Sequence, residues 1–492
     1  MANIDVKLSA AVADKVYNAA FADGRSIGNM IEVFGVAGTA AAQSATTGAS
    51  WSINGSTLEI DFGNGARLQY TGVTIPDMTA QRGTAHATGM SYYQGGALSM
   101  SQSGQYDVGY TLVNNVLNLV SVTGTTSGGS VATDVAQGSA AYDPTLGNIR
   151  ISFDSHLYTE ANGNSSGDIT HIHVAADKLV RSTDIDGSLH FTGNLGQIGQ
   201  QQADPVLTGT LTGYRTDYQD GSHEYVSGAL RVDAGATIDS IMFDPTELAG
   251  DDVLTFDLPA SLTKVVLLDA GAGNDRITVA GGGDKLRVNG GSGNDWINAT
   301  NGPGSHVIDG GEGTDTFVAY GKASDFKIEA TAQGITVRST RNPDSVQQLH
   351  NVERLDVGGD RLAFDVNGAA GQAYRLYRAA FDREPDQGGL SFWIKSLDVG
   401  VSLNQAAANF IKSDEFVQLY GSAPTDKAFL ASLYQNVLHR APDDGGYAFW
   451  LDGMAHGVTR ASVLHQFSES PENQAQVNEV FVTGVKYDPN PF

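Results

Sequence analysis

Three copies of one glycine-rich nonapeptide, set 20 residues apart, constrain this chain more than any other feature. They read D-A-G-A-G-N-D-R-I from Asp269, N-G-G-S-G-N-D-W-I from Asn289 and D-G-G-E-G-T-D-T-F from Asp309. Asp275, Asp295 and Asp315 close the copies. Each copy fits G-G-x-G-x-D-x-U-x, except that Ala270 replaces the first glycine of the first one. Glycines at fixed places give the backbone tight turns with positive φ. The apolar residue two places after each Asp (Ile277, Ile297, Phe317) starts a short strand that faces a thin core. A pattern repeating at this length implies coils stacked turn upon turn.

The nonapeptide resembles the calcium-binding signature of RTX proteins. The resemblance implies a short calcium β-roll over residues 241–320 with about two or more Ca2+ ions. The chemistry is consistent with it. Calcium takes about six to eight oxygens in a flexible cage, so the Asp supplies an anionic oxygen and the glycines aim carbonyls inward. The implied ligand positions are Asp269, Gly271, Gly273, Asn274 and Asp275, then Gly291, Gly293, Asn294 and Asp295, then Asp309, Gly311, Gly313 and Asp315. A regular RTX coil holds two nonapeptides in about 18 residues, with ions on both sides. Here the halfway segments are degraded. One surrounds Asp284, a further metal candidate, and in the other His306 stands at the Asp position. One side of the roll is therefore expected to be loaded and the other poorly loaded or empty. The plain alternative is a solvated Gly/Asp loop without metal, and three copies in register argue against it.

Composition limits the rest. A chain of 492 residues is long enough for about two to four domains. A formal charge of −26 excludes electrostatic binding of nucleic acid or an anionic membrane surface. No apolar run reaches the roughly 20 residues of a membrane helix, so no membrane insertion is expected. With no cysteine, the redox compartment stays open. The first residues, M-A-N-I-D-V-K-L-S, contain no classical signal peptide. The RTX resemblance instead implies type I secretion from a Gram-negative cell through an uncleaved C-terminal signal. The closing V-K-Y-D-P-N-P-F, within a tail at 481–492, is compatible with such a signal.

Taken in order, residues 1–35 are expected to hold leading helices, because Leu8, Ala11, Val12, Val16, Ala19, Ala20 and Phe21 recur at helical spacing from residue 5 onward. They would act as a packing cap or, on a sharper reading, as an assembly contact. Residues 36–240 are β-rich, with short alternating runs and turn signals such as Asp186-Gly187 and Asp220-Gly221. A sandwich or an irregular β-solenoid is expected, without a clean period. L-A-G-D-D-V-L-T-F is a worn nonapeptide remnant with Asp252 near the Asp position. Residues 321–366 supply a β cap for the roll.

Residues 367–480 are α-helical and duplicated at an offset of 57 residues without a gap. Tyr377 matches Tyr434, Pro385 matches Pro442, Gly388 and Gly389 match Gly445 and Gly446, and Trp393 matches Trp450. Each unit reads as helix, P-D-x-x-G-G loop, helix and a short third helix. This resembles the C-terminal domain of unknown function common in RTX-type secreted and S-layer-like proteins. Asp386 and Asp443 are read as helix caps, with calcium ligation as the alternative. Trp393 and Trp450 are read as core anchors.

Catalytic signatures are thin. There is no H-E-x-x-H. G-N-S-S-G at 163–167 matches G-x-S-x-G but has no helix after it, as a nucleophile elbow requires. His171 and His173 alternate on one strand face and would need a third ligand such as His156 or His190 to hold a transition metal. The plainer reading is a solvated polar face. The fold class is therefore multidomain β plus α. The functional expectation is a secreted calcium-binding structural protein that self-assembles as an S-layer, filament or biofilm component. The rival is a secreted carbohydrate-active enzyme or glycan-binding adhesin that works through the N-terminal β region on cell-surface polysaccharide, with Trp51, Tyr92, Tyr93 and Tyr106 as sugar-stacking candidates.

Overall fold

The structure is a computed structural model. It describes residues 3–7, 50–61, 65–75, 82–113, 116–133, 149–159, 164–194, 206–234, 246, 248–259, 265–282, 286–299, 305–331 and 333–488. The fold is mixed β and α and multidomain, in two compact units, residues 1–289 and 290–492.

The first unit begins with strand β1 (Asn3–Lys7). Residues 5–7 are thus extended where the apolar spacing suggested the start of a helix, and residues 8–35 of that reading lie outside the described residues. Ile4 is fully buried in β1. The strand's other neighbours supply the missing hydrogen bonds, so pairing overrides a helical pattern.

Eleven strands follow: β2 (Ser50–Asn54), β3 (Thr57–Asp61), β4 (Ala66–Thr71), β5 (Arg82–Gln94), β6 (Ala97–Val113), β7 (Val116–Thr133), β8 (Ile149–Thr159), β9 (Asn164–Ala176), β10 (Val180–Asn194), β11 (Val206–Tyr218) and β12 (His223–Val232). From β3 onward each pairs antiparallel with the strand before it. The region is one long antiparallel meander rather than a solenoid. The strands are long and bulged, which hides their period. Ile169 and Ile172 are both buried three residues apart on β9, across a register shift that resets the alternation. Asp186-Gly187, which looks like a turn, is such a shift inside β10. Asp220-Gly221 is a true hairpin turn, with Gly221 at φ +88° and Asp220 accepting from the Ser222 amide at 2.9 Å.

The unit ends in parallel strands. β13 (Val253–Leu258) pairs with β15 (Arg276–Gly281), and β14 (Val266–Asp269) with β16 (Leu286–Asn289). β1 lies between β12, antiparallel, and β13, parallel. It therefore joins the meander to the stacked strands in one ladder.

In the second unit, β17 (Trp296–Asn298), β19 (Thr316–Ala319) and β23 (Arg354–Val357) form one parallel row. On the other side β18 (Ser305–Asp309) pairs parallel with β22 (Val346–His350). A hairpin, β20 (Phe326–Thr331) and β21 (Gly334–Ser339), extends the β22 side. β24 (Asp360–Ala363) turns back on β23, and a two-residue strand, β25 (Val485–Lys486), pairs with β24.

Eight helices complete this unit. They are α1 (Ala369–Phe381), α2 (Gln387–Asp398), α3 (Leu403–Ile411), α4 (Asp414–Tyr420), α5 (Asp426–Leu438), α6 (Asp444–Ala455), α7 (Arg460–Ser468) and α8 (Pro471–Val477). Adding 57 to either end of α1, α2, α3 or α4 gives the ends of α5, α6, α7 or α8. Each repeat thus has four helices, one more than the sequence pattern suggested. The repeats share one core in which Leu376, Phe410, Phe429, Leu433 and Phe467 are buried. Trp393 and Trp450 pack against it as anchors.

The duplicated loop has a local explanation. Asp386 and Asp443 cap α2 and α6, accepting from Gly389 N and Gly446 N at 2.8 Å each. A Cβ on Gly389 would meet the Tyr377 hydroxyl at 2.0 Å, and one on Gly446 the Tyr434 hydroxyl at 2.4 Å. The second glycine is there for the close approach of that tyrosine, not to allow a positive φ. An ion pair is duplicated too, Arg383 with Glu415 and Arg440 with Glu472.

Candidate metal centre

The nonapeptide turns adopt one backbone shape. Gly271, Gly291 and Gly311 have φ of +83°, +97° and +100°, and Gly273, Gly293 and Gly313 have +133°, +128° and +134°. These are the left-handed conformations that glycine adopts without strain. The first position, occupied by Ala270, Gly290 or Gly310, is not among the positive-φ residues, so its backbone conformation does not itself demand glycine.

Asp275 and Asp315 each reach back to the neighbouring turn. In the first unit the Asp252 amide donates to Asp275 Oδ1 at 2.7 Å, and the Arg276 amide to Asp252 O at 2.8 Å. Asp252, on the worn remnant, therefore stands at the Asp position. In the second unit the Asp295 amide donates to Asp315 Oδ1 at 2.8 Å, and the Thr316 amide to Asp295 O at 2.7 Å. The strands that follow bury Leu254, Ile277, Ile297 and Phe317 two places after each Asp.

The second unit contains a turn that the motif does not mark. The Gly310 amide donates to His350 O, the Asp315 amide to Glu353 Oε2 at 2.9 Å, and the Arg354 amide to Asp315 O at 2.9 Å. Residues 350–354 thus repeat the pattern with Glu353 in the Asp place, 38 residues after Asp315. The β20–β21 hairpin accounts for the longer step. Leu355 follows two places on and is fully buried. That Glu-x-Leu phase, running into L-D-V, was the signal available in the sequence.

Oxygens converge in these turns. A Cβ at Gly290 would lie 2.2 Å from Asp295 Oδ2 and 2.4 Å from Gly310 O. A Cβ at Gly310 would lie 2.1 Å from Asn351 O and 2.5 Å from Asp315 Oδ2. In both places a carboxylate oxygen and a main-chain carbonyl lie close against the glycine and leave no room for a side chain. Asp315 is fully buried and its Oδ2 has no hydrogen-bond partner. Burial first, then the charges of Asp295, Glu353 and Asp309, push its pKa up to about 7, against the relief given by the Asp295 amide. Burial also raises Glu353. Carboxylate and carbonyl oxygens are hard donors, the type that calcium takes in sets of about six to eight. Among the described residues no three His, Cys, Asp or Glu side chains form a metal-holding group; each converging pair is a single carboxylate with a carbonyl.

The other candidates are placed as follows. Asp269 accepts from Gly271 N at 3.1 Å and Asn289 Nδ2 at 3.0 Å, and Asp309 from Asn351 Nδ2 at 2.7 Å, so both brace turns. Asn274 and Asn294 do the same, Asn274 donating to Asp251 and Asn294 accepting from Thr314 N. Asp284 lies outside the described residues. His306 is buried inside β18, with Nδ1 3.2 Å from Ala299 O and 2.8 Å from Gln347 Oε1. Ser165 of G-N-S-S-G sits within β9, with no elbow. His171 and His173 do share a face. Each Nδ1 contacts a carboxylate on β10, Asp186 at 2.7 Å and Asp184 at 2.6 Å, while His190 contacts Asp168 instead.

The sugar-stacking set does not assemble. Tyr92 and Tyr106 are 2 % and 4 % exposed and belong to the core, because strand alternation turns them inward. Tyr93 carries the Arg67 guanidinium 4.6 Å over its ring, and Trp51 is half-buried on β2.

Residues 406–477 match the family described as Domain of unknown function (DUF4214). The match runs from within α3 to the end of α8, so it takes in the whole second repeat. No curated protein and no solved structure matches the chain. No described helix is long and apolar enough to cross a membrane. Within the DUF4214 match, Asp443 is held below the usual carboxylate range by the Gly446 amide and Arg440, as suits a cap.

Proposed function

We propose that this is a secreted calcium-binding structural protein that assembles with its own copies at the cell surface or in the extracellular matrix once calcium has ordered its stacked turns. The observation that carries the reading is Asp315, a fully buried carboxylate whose second oxygen faces a carbonyl and no donor. Calcium would supply the missing positive charge there and between Asp295 and Gly310 O. Binding energy then becomes folding energy. Where calcium is scarce the acidic turns repel and the chain stays open for export. Where calcium is millimolar they close. Secretion by the type I route and the RTX resemblance belong to this same reading. The polar, weakly charged meander suits close packing between copies. With Tyr92 and Tyr106 in the core, the glycan reading loses half of its stacking set.

The test is electron microscopy of the purified protein in millimolar calcium and after chelation, beside calorimetry under both conditions. Filaments or sheets in calcium alone, with a higher melting temperature, are expected. Dispersed particles in both conditions would sink the assembly reading. Identical melting curves would sink the calcium reading.

A further inference from the structure

The helical domain builds one surface twice and covers it once. In the first repeat α1 and α2 present Ala370, Ala373, Tyr374, Leu390 and Ile394, and the chain from the end of α8 onward closes over them with Val477, Phe481 and Val485. The Asp488 amide also donates to the hydroxyl of the buried Ser391 at 2.7 Å. In the second repeat the matching positions, 57 residues on, are Lys427, Leu430, Ala431, Tyr447 and Leu451, and Ala448 stands in the place of Ser391. No cover follows α4, which ends at Tyr420, because α5 already begins at Asp426. Burial records the difference. α2 buries Leu390, Ser391 and Ile394, whereas α6 has no fully buried residue although it reads D-G-G-Y-A-F-W-L-D-G-M-A. Ala448 and Ala455 are exposed, and Phe449 is 68 % exposed against 41 % for its counterpart Phe392. A helix this apolar ordinarily buries at least one face. With a methyl where Ser391 has a hydroxyl, an apolar occupant suffices.

We propose that this open face of α5 and α6 is a contact between two copies of the chain, packed about a two-fold axis. The face suits its own copy in charge. Lys427 is exposed on α5, and Asp452 on α6 has a side chain 76 % exposed. The Tyr447 hydroxyl donates to Lys427 O at 2.9 Å, which sets the lysine near the start of α6, while Asp452 belongs to its second half. Two α6 helices crossing antiparallel therefore bring the lysine of each copy to the carboxylate of the other. Ala448, Asp452 and Ala455 share one side of α6 by helical spacing, and the two alanines let the helices approach closely enough to cover Phe449 and Leu451. A closed pair uses up both open faces. The choice of a second copy rests on the self-assembly reading, and the contact itself makes no use of calcium.

The experiment is sedimentation velocity on the full chain in millimolar calcium, over a range of protein concentrations, for the parent and for Ala448→Arg. Ala448 is exposed and arginine is a good helix former, so the helices should persist, which circular dichroism checks. The expected result is a reversible dimer for the parent and a monomer for the variant at the same concentrations. Lys427→Asp should weaken the dimer severalfold, and Lys427→Asp combined with Asp452→Lys should restore it. Association as strong in Ala448→Arg as in the parent would overturn this face and leave the self-assembly reading standing. A parent that stays monomeric throughout would overturn both. If Ala448→Arg loses helical content, the charge pair decides: a dimer indifferent to Lys427→Asp then overturns the face.

Discussion

Asp315→Asn should invert its effect on stability with calcium. Asp315 is a buried carboxylate crowded by Asp295, Glu353 and Asp309, with its pKa raised from the ordinary 3.8 to about 7. A folded-state pKa above the unfolded value means that the folded chain binds the proton more tightly. Stability therefore falls as pH rises through the window from about 4 to about 7 and is flat above it. The full shift corresponds to about 4 kcal/mol, and nearer 2 kcal/mol once the higher effective dielectric of real protein sites is allowed for. Asparagine removes that cost and keeps an oxygen for the Asp295 amide, which donates at 2.8 Å. At pH 8 in chelator the variant should thus melt higher than the parent. For a unit of about 200 residues, 2 kcal/mol is about 4–8 °C. In millimolar calcium the sign reverses, because the variant lacks an anionic ligand. At pH 4 in chelator the parent proton is in place and the two proteins should melt together. Differential scanning calorimetry at these three conditions reads all three signs. An Asp315→Asn protein that melts lower than the parent in chelator at pH 8 would refute the argument that this carboxylate is uncompensated without a cation.

Three further outcomes test the same structure. Gly313→Ala places a methyl 1.8 Å from Gly293 O at φ +134° and should lose about 3 kcal/mol or more. Gly400→Ala, at φ +94° with nothing within 4 Å, should lose only about 1 kcal/mol; equal losses in denaturant titrations would show that close coil contact is not what requires glycine. Asp386→Ala and Asp443→Ala should each cost about 1 kcal/mol by loss of a cap, equally with and without calcium, and a calcium-dependent cost in either would restore the ligand reading of that residue. Arg375→Ala should cost about 3–5 kcal/mol, because Arg375 is 1 % exposed and bonds both oxygens of Glu469 at 2.9 and 2.7 Å; a near-native urea midpoint would mean that the pair does not hold the two helical repeats together.

The helical half was legible because its signals are local. An offset of 57 residues aligns caps, glycines and aromatic anchors, and all eight helices obey it. What escaped was the fourth helix of each repeat, only seven residues long and opened by Ser413 or Ser470. The meander was legible as β but not as a topology, because bulges at Asp154/Ser155 and Asp186/Gly187 reset the alternation from which layers are read. β1 was misread because an apolar helical spacing outweighed a five-residue strand whose partners lie more than 200 residues away. The nonapeptide turns were visible because glycine at positive φ leaves a fixed spacing in the sequence. The turn at 350–354 was not, because asparagine and glutamate do the work of glycine and aspartate there, and a hairpin breaks the 20-residue step.

The turn at 350–354 also bears on why the chain keeps stacked turns and helical repeats within one compact unit. Glu353 belongs to the carboxylate cluster around Asp315, and the next residue, Arg354, is 2 % exposed and pairs with Asp365 before α1 and Asp398 at the end of α2. Tyr487, beyond the last helix, lies with its ring 5.5 Å from the same guanidinium. A buried arginine with two acidic partners is conformationally exacting, because moving it strands a charge in a low-dielectric place. The two positions share a backbone, so a displacement of the turn is felt by Arg354. The helical repeats have their own core and caps. They need Arg354 in place to be held against the strands.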